Sequence, residues 1–134
     1  MALESGAWWQ RRAALRLLGE QAARGGSPTT DIGRVLASDE CADVREAAAR
    51  ALGAVALVGD LEALGRLRTA ARGDTADVCC AALSSLAALA GGDAGIVACI
   101  AELARPEAGQ GAEVRAAALV SLREAAEGYW LADA

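Results

Sequence analysis

Apolar residues recur at helical spacing in four alanine-rich segments of this chain. The clearest segment begins at Val44 and places apolar side chains at positions i, i+3, i+4, i+7, i+8 and i+11. These positions are Val44, Ala47, Ala48, Ala51, Leu52 and Val55. Such spacing puts one continuous apolar stripe on an α-helix. Related segments begin 34 residues earlier at Gln10, 34 residues later at Val78 and a further 36 residues on at Val114.

Self-similarity at this period is typical of stacked helical repeats, in which each unit buries its apolar face against the next. Shorter amphipathic stretches lie between the four segments. The pattern therefore predicts an all-α fold with seven helices, near residues 8–23, 31–37, 43–57, 60–72, 76–90, 93–105 and 112–127. We expect one domain, residues 1–134, with repeats at about 8–23, 31–57, 60–90 and 93–127 and a C-terminal cap at 128–134. Because the first repeat has a single helix, the stack holds about three and a half repeats.

Acidic residues mark the predicted starts of several helices. Asp43, with Glu46 three residues later, predicts an N-cap in a capping-box arrangement. Asp60 follows Gly59 and Asp93 follows Gly92, which predicts a glycine turn and then a capped helix at both places. Residues 24–28, which contain two glycines and a proline, predict a loop.

The segments 43–53 and 113–119 resemble the second helix of HEAT repeats, closest to the short alanine-rich type of the phycobilin lyases. That pattern has an acidic residue, Val and Arg, then Ala-Ala and a later Leu-Gly, and a Gly-Asp turn, which Gly59-Asp60 and Gly92-Asp93 match. The resemblance covers roughly residues 8–127 and implies a right-handed α-α superhelix, an armadillo-like α-solenoid. HEAT repeats occur in adaptors, lyase subunits and scaffold subunits, so the resemblance is specific for fold rather than for function. The third segment departs from the pattern at Cys79, and the first has Trp9 before Gln10 in place of Asp-Val.

Composition disfavours several classes of function. The formal net charge is −5, whereas nucleic-acid binders usually carry a basic face, and the same charge disfavours anionic membrane surfaces. No apolar run approaches the roughly 18 residues of a membrane-spanning helix, and residues 1–6 show no secretory signal. The chain has no histidine, the commonest general base and metal ligand, and no phosphate-binding loop. We therefore expect no enzyme activity, no cofactor and no metal.

Four cysteines allow two interpretations. Cys41, Cys79, Cys80 and Cys99 lack the spacing of a zinc site, and adjacent residues on a helix point about 100° apart, which disfavours a Cys79–Cys80 disulfide. They fit small buried side chains in a reducing, intracellular compartment. The alternative makes Cys79 a bilin attachment site or a redox sensor, because its register equivalents are polar and we expect the position to be accessible.

Three arginines occupy one register position. Arg11, Arg45 and Arg115 form either a basic ladder for an acidic partner or a set of links between repeats. In the second interpretation, each guanidinium pairs with a carboxylate of the neighbouring repeat, such as Asp43 or Asp77.

The outward face of the four long helices changes along the chain. Its predicted positions run from polar and basic to apolar, and they are Arg12, Leu15, Arg16, Glu46, Ala49, Arg50, Cys80, Leu83, Ser84, Ala116, Leu119 and Val120. Since second helices usually line the concave side of such stacks, we expect a groove suited to an amphipathic or extended peptide.

Large aromatic residues lie at both ends of the predicted stack. Trp8 and Trp9 begin the first long helix, and Tyr129 and Trp130 follow the last. They either cap the apolar ends or anchor a neighbouring subunit, and exposed ends also offer surfaces for oligomerisation.

The pattern as a whole favours a non-catalytic protein-protein interaction module or scaffold subunit, binding another protein or subunit of a larger complex. The predicted partner-binding residues are Arg12, Leu15, Arg16, Arg50, Cys79, Leu83, Leu119, Trp8, Trp9 and Trp130. The alternative is a phycobilin-lyase-like or chaperone-lyase subunit that acts on a tetrapyrrole-bearing protein. DNA binding through arginines, as in HEAT-like DNA glycosylases, is a third hypothesis, which the net negative charge disfavours.

Overall fold

The structure, a computed structural model, describes residues 6–21 and 27–132. Within these ranges it contains seven α-helices and no strand, which confirms the all-α prediction. The helices are α1 (Trp8–Gln21), α2 (Ser27–Ser38), α3 (Ala42–Val55), α4 (Leu61–Gly73), α5 (Ala76–Leu89), α6 (Ala94–Ala104) and α7 (Ala112–Ala132). A short 3-10 turn, Pro106–Ala108, separates α6 from α7.

The helices pack in chain order. The four odd helices, which carry the recurring segments, form a row in which α1 contacts α3, α3 contacts α5, and α5 contacts α7. Each even helix pairs with the odd helix that follows it, and α2 also packs on α4. The core is therefore one line of apolar side chains, from Leu15 and Ile32 through Leu52 and Leu86 to Val114.

Small residues allow the odd helices to approach closely. Gly53 of α3 faces Ser85 of α5, and a Cβ atom at Gly53 would lie only 3.1 Å from the Ser85 Cα. The buried Ser85 hydroxyl donates a hydrogen bond to the Ala49 carbonyl oxygen at 2.6 Å. The alanine-rich composition thus has a packing role, because larger side chains at these positions would separate the helices.

Capping follows the sequence pattern in part. Asp60 accepts a hydrogen bond from the Ala63 amide at 3.1 Å, and Asp93 accepts from the Gly95 amide at 2.8 Å, which confirms both predicted caps. Gly59 and Gly92, in the turns before α4 and α6, have φ angles of 83° and 85°, left-handed values that favour glycine. The N-cap prediction for Asp43 is wrong. Helix α3 begins one residue earlier, at Ala42, with Cys41 as N-cap, so the Asp43 carboxylate lies within the first turn.

Two predicted helix boundaries also need correction. Helix α2 begins at Ser27 rather than residue 31, because Pro28 in a first helical turn requires no donated hydrogen bond. Helix α7 continues to Ala132 through most of the residues predicted as a separate cap. Among the residues that the structure describes, no helix is both long and apolar enough to span a membrane.

Candidate functional site

Two of the three register-matched arginines link successive hairpins. The Arg11 guanidinium donates to both carboxylate oxygens of Asp39, at 2.8 and 3.1 Å. The Arg45 guanidinium donates to both oxygens of Asp74, each at 3.0 Å. These pairs confirm the repeat-linking interpretation for Arg11 and Arg45, with different carboxylates from those suggested. Asp39 and Asp74 lie in the turns that precede α3 and α5, where the next hairpin meets the arginine.

The linking carboxylates titrate below the usual range. Burial raises the pKa of Asp39. Hydrogen bonds from the Arg11 guanidinium and the Cys41 amide lower the pKa and outweigh burial, so the resulting pKa lies below the ordinary value. The pKa of Asp74 is lowered in the same way, with Arg45 and the Thr75 amide opposing burial. Both groups therefore remain charged at neutral pH and keep the arginines oriented.

Cys79 occupies the equivalent position in α5 and is buried. Its thiol lies 3.2 Å from the Asp74 carbonyl oxygen and 3.4 Å from the Ala70 carbonyl oxygen, positions that fit a donated S–H bond. Burial raises the pKa of the Cys79 thiol, which disfavours the reactive thiolate. The predicted accessibility of Cys79 is wrong, because this register position faces the adjoining helices rather than solvent. Covalent attachment of a bilin, the alternative interpretation of Cys79, requires an accessible thiol, and the Cys79 thiol is buried.

The predicted outward row is wrong at two of its leucines. Leu15 and Leu83 are completely buried, and Ala49 at the same register position is buried as well. This row points toward the following odd helix and forms the contact between repeats. Leu119 is 58% exposed because no described helix packs on that side of α7.

The exposed row lies one residue further along each helix. It consists of Arg16, Arg50, Ser84 and Val120, all of which are exposed. All four belong to the predicted outward face, and along this row the exposed residues change from basic through polar to apolar. Arg16 and Arg50 are among the predicted partner-binding residues, whereas Ser84 and Val120 belong only to the predicted outward face.

Two open concavities lie between the odd helices on this side, one on each side of α3. The first part, of about 250 Å³, lies between α1 and α3, with Arg12, Arg16 and Glu20 on one wall and Glu46 and Arg50 on the other. The second part, of about 300 Å³, lies between α3 and α5. Arg50 and Ala54 of α3 line both parts, so the two parts are neighbours on one face. We call this surface the odd-helix groove. Its exposed and half-buried lining residues other than glycine are Arg12, Arg16, Glu20, Asp43, Glu46, Arg50, Ala54, Ser84 and Ala88.

The three groove arginines differ in the contacts that their guanidinium groups make. The Arg50 guanidinium lies 3.1 Å from the Glu46 carboxylate on the same helix, in an exposed pair of little energetic weight. Arg12 lies over the Trp8 ring, 5.3 Å from its centroid. Arg16 makes no ion pair with any described residue and is exposed. A carboxylate entering the groove could therefore bind Arg16 without displacing an ion pair to any described residue.

The aromatic residues at the first end are exposed. The Trp8 and Trp9 rings meet edge to face, with centroids 5.9 Å apart, and both are exposed. The side chains of Tyr129 and Trp130 fall outside the described part of the structure. No group of three or more metal-ligating side chains occurs among the described residues.

Comparison with known proteins does not identify a family. No protein-family model matches the chain, and no curated protein matches it. The resemblance to HEAT repeats, and every functional expectation drawn from it, therefore remains a prediction.

Proposed function

We propose that this protein is a HEAT-like right-handed α-α superhelix that acts as a non-catalytic interaction module or scaffold subunit. Its partner would be a segment of another protein that lies in the odd-helix groove. The observation that supports this most directly is the pair of neighbouring concavities across three helices, with Arg16, which has no ion pair with a described residue, at the basic end. The ordered packing of the odd helices supports the superhelix, because each repeat of a solenoid touches its neighbours in sequence order.

The chemistry of the groove favours an acidic, extended or amphipathic segment. Arg12, Arg16 and Arg50 offer donors to carboxylates near the first end. The small side chains of Ala54 and Ala88 leave the groove open between helices, where a peptide backbone can approach. Farther along the row, the exposed Val120 offers an apolar contact. A partner segment with acidic residues at one end and an apolar residue at the other matches this order.

A random-peptide display selection against the full-length protein tests this proposal. We expect the selected peptides to be rich in Asp and Glu, and their affinity to fall at least tenfold when Arg16→Glu and Arg50→Glu are combined. Each arginine is exposed, so the variant keeps the fold, which circular dichroism can verify.

Arg68→Glu is the matched control. Arg68 is an equally exposed arginine, but it lies on α4 in the row of even helices, outside the odd-helix groove. If the selected peptides bound equally well to the groove variant, or lost the same affinity with the control, the groove would not be the binding site.

A further inference from the structure

We propose that the two ends of the helical stack bind each other, so that α7 of one molecule packs head to tail on α1 of a second copy of this chain. This contact is separate from the odd-helix groove and does not depend on the function proposed for it. The proposal rests on what each end exposes compared with the same register positions inside the stack.

The apolar part of the α7 end is revealed by Leu119. Leu15 and Leu83 occupy its register position in α1 and α5, and each is completely buried at the contact with the next odd helix. Leu119 is 58% exposed. A large apolar side chain is therefore present on α7 at the position where the interior repeats receive a following helix.

The polar part of the α7 end is revealed by Arg115. Its register equivalents Arg11 and Arg45 each bind a carboxylate from the following hairpin. The Arg115 guanidinium has no ion pair or hydrogen bond with any described residue. We call Arg115 and Leu119 the tail face, since both are positioned for a helix that the described residues do not supply.

Helix α1 exposes the complementary side of a repeat. Trp9, Ala13 and Leu17 are spaced four residues apart and are all exposed, with Trp9 at 59% and Leu17 at 53%. Their register equivalents in α3 include Ala47 and Ala51, which line the contact with the preceding helix α1. We call Trp9, Ala13 and Leu17 the head face, because it is the side of α1 that an earlier odd helix would cover.

A second copy is the occupant that supplies both missing elements. The tail face requires a following odd helix and the head face requires a preceding one, and one pair of molecules provides each to the other. If the packing of α5 on α7 is repeated between molecules, Trp9 takes the position of Glu113. Glu113 adjoins the preceding odd helix α5, where its carbonyl oxygen lies 3.9 Å from the Cys80 sulfur.

The same placement brings Trp9 of one molecule beside Ala116 of the other, because Ala116 is the register equivalent of Cys80. Ala116 and Trp9 are both exposed, so this contact would cover apolar surface on each molecule.

The ends are also built to keep this association weak. Inside the stack, small residues meet at the closest approach, as Gly19 does with Ala51. Between two molecules, the same positions pair Arg123 with Leu17, which are both larger. The two helices therefore stand farther apart than α1 and α3, with the aliphatic stem of Arg123 over Leu17. We expect a reversible contact rather than a permanent oligomer.

Sedimentation velocity of the full chain over a wide concentration series tests the proposal. Because head and tail are different surfaces, the wild-type protein is expected to form open chains that lengthen with concentration. Leu17→Glu blocks the head and Leu119→Glu blocks the tail, so each variant alone is expected to be monomeric. An equimolar mixture of the two variants has one intact head and one intact tail, and it should form dimers that do not grow further.

Leu61→Glu is the control, because Leu61 is 83% exposed at the start of α4 and belongs to neither face. It should associate as the wild type does. A wild-type protein that stays monomeric throughout would overturn the proposal. Dimers formed by either blocked variant alone would overturn it too, since they would indicate a symmetric contact between like ends.

Discussion

The tight packing between α3 and α5 predicts that Gly53→Ala destabilises the protein, although alanine is the better helix former. A Cβ atom at Gly53 would lie closest to the Ser85 hydroxyl, 2.9 Å from the Ser85 Cβ and 3.1 Å from the Ser85 Cα. The hydroxyl cannot simply turn aside, because it donates the buried 2.6 Å hydrogen bond to the Ala49 carbonyl. The close approach to the Ser85 backbone moreover requires one helix to shift relative to the other.

The expected change in the free energy of unfolding combines one stabilising and two destabilising contributions. Replacing glycine by alanine in a helix stabilises it by about 1 kcal/mol. Forcing an extra methyl group into a packed contact destabilises by about 1–3 kcal/mol, and losing a buried hydrogen bond costs about 1–3 kcal/mol more. The net loss in the free energy of unfolding is therefore between about 1 and 5 kcal/mol.

Gly19 supplies a matched control within the same chain. It occupies the same register position as Gly53, and each is the third residue from the end of its helix. A Cβ atom at Gly19 would lie 3.5 Å from the Ala51 Cα and 3.7 Å from the Ala51 Cβ, which are ordinary van der Waals distances. Gly19→Ala should therefore leave stability unchanged or raise it by up to about 1 kcal/mol.

Urea unfolding followed by circular dichroism measures both variants against the wild type. In a Ser85→Ala background, Gly53→Ala should cost at least about 1 kcal/mol less, because the nearest atom and the hydrogen bond are already absent. Equal effects of Gly53→Ala and Gly19→Ala would refute the packing argument, as would a Gly53→Ala protein more stable than the wild type.

Two further predictions concern charge and capping. The lowered pKa values of Asp39 and Asp74 mean that their stabilisation is complete above about pH 4, the ordinary range for aspartate, and is lost as the pH falls through the lower folded-state values. Urea unfolding from neutral pH down to about pH 3 should therefore show falling stability, with a shallower fall when both residues are changed to Asn. Asp60→Ala should cost about 1 kcal/mol by removing the cap of α4. Asp43→Ala should cost clearly less in the same assay, since Cys41 and not Asp43 is the N-cap of α3.

The order and number of helices could be predicted from sequence because the apolar stripe of each segment spans several turns. The exact first and last residues of the helices could not be predicted. The start of α2 was missed because Ser27 and Pro28 favour both a loop and a first helical turn, and only the surrounding packing distinguishes the two. The cap of α3 was missed because Asp43 suits both the N-cap and the first turn, where a negative charge also favours the helix.

The orientation of the groove row was harder to predict than the helices that carry it. Leu15 and Arg16 are adjacent, about 100° apart around the helix, and either could face outward beside an alanine-rich stripe. In a helix with larger core residues, the apolar face would be unambiguous. Here Ala49 fills the position of Leu15, and its small side chain carries little information about burial. The carboxylates that bind Arg11 and Arg45 were missed for a related reason, because they lie in turns rather than at repeated helical positions.

Residues at equivalent positions of successive odd helices differ in role according to what packs on them. Leu83 and Leu119 share a residue type and a register position, yet one is completely buried and the other is 58% exposed. Arg45 and Arg115 likewise share both, and only Arg45 has a carboxylate partner among the described residues. The similar sequences of α3, α5 and α7 predict the same helix contact for each of them. They do not reveal Leu119 and Arg115, for which the described residues supply no such contact. Burial and ion pairing at equivalent positions, rather than residue type, distinguish a surface that closes the core from one that is exposed.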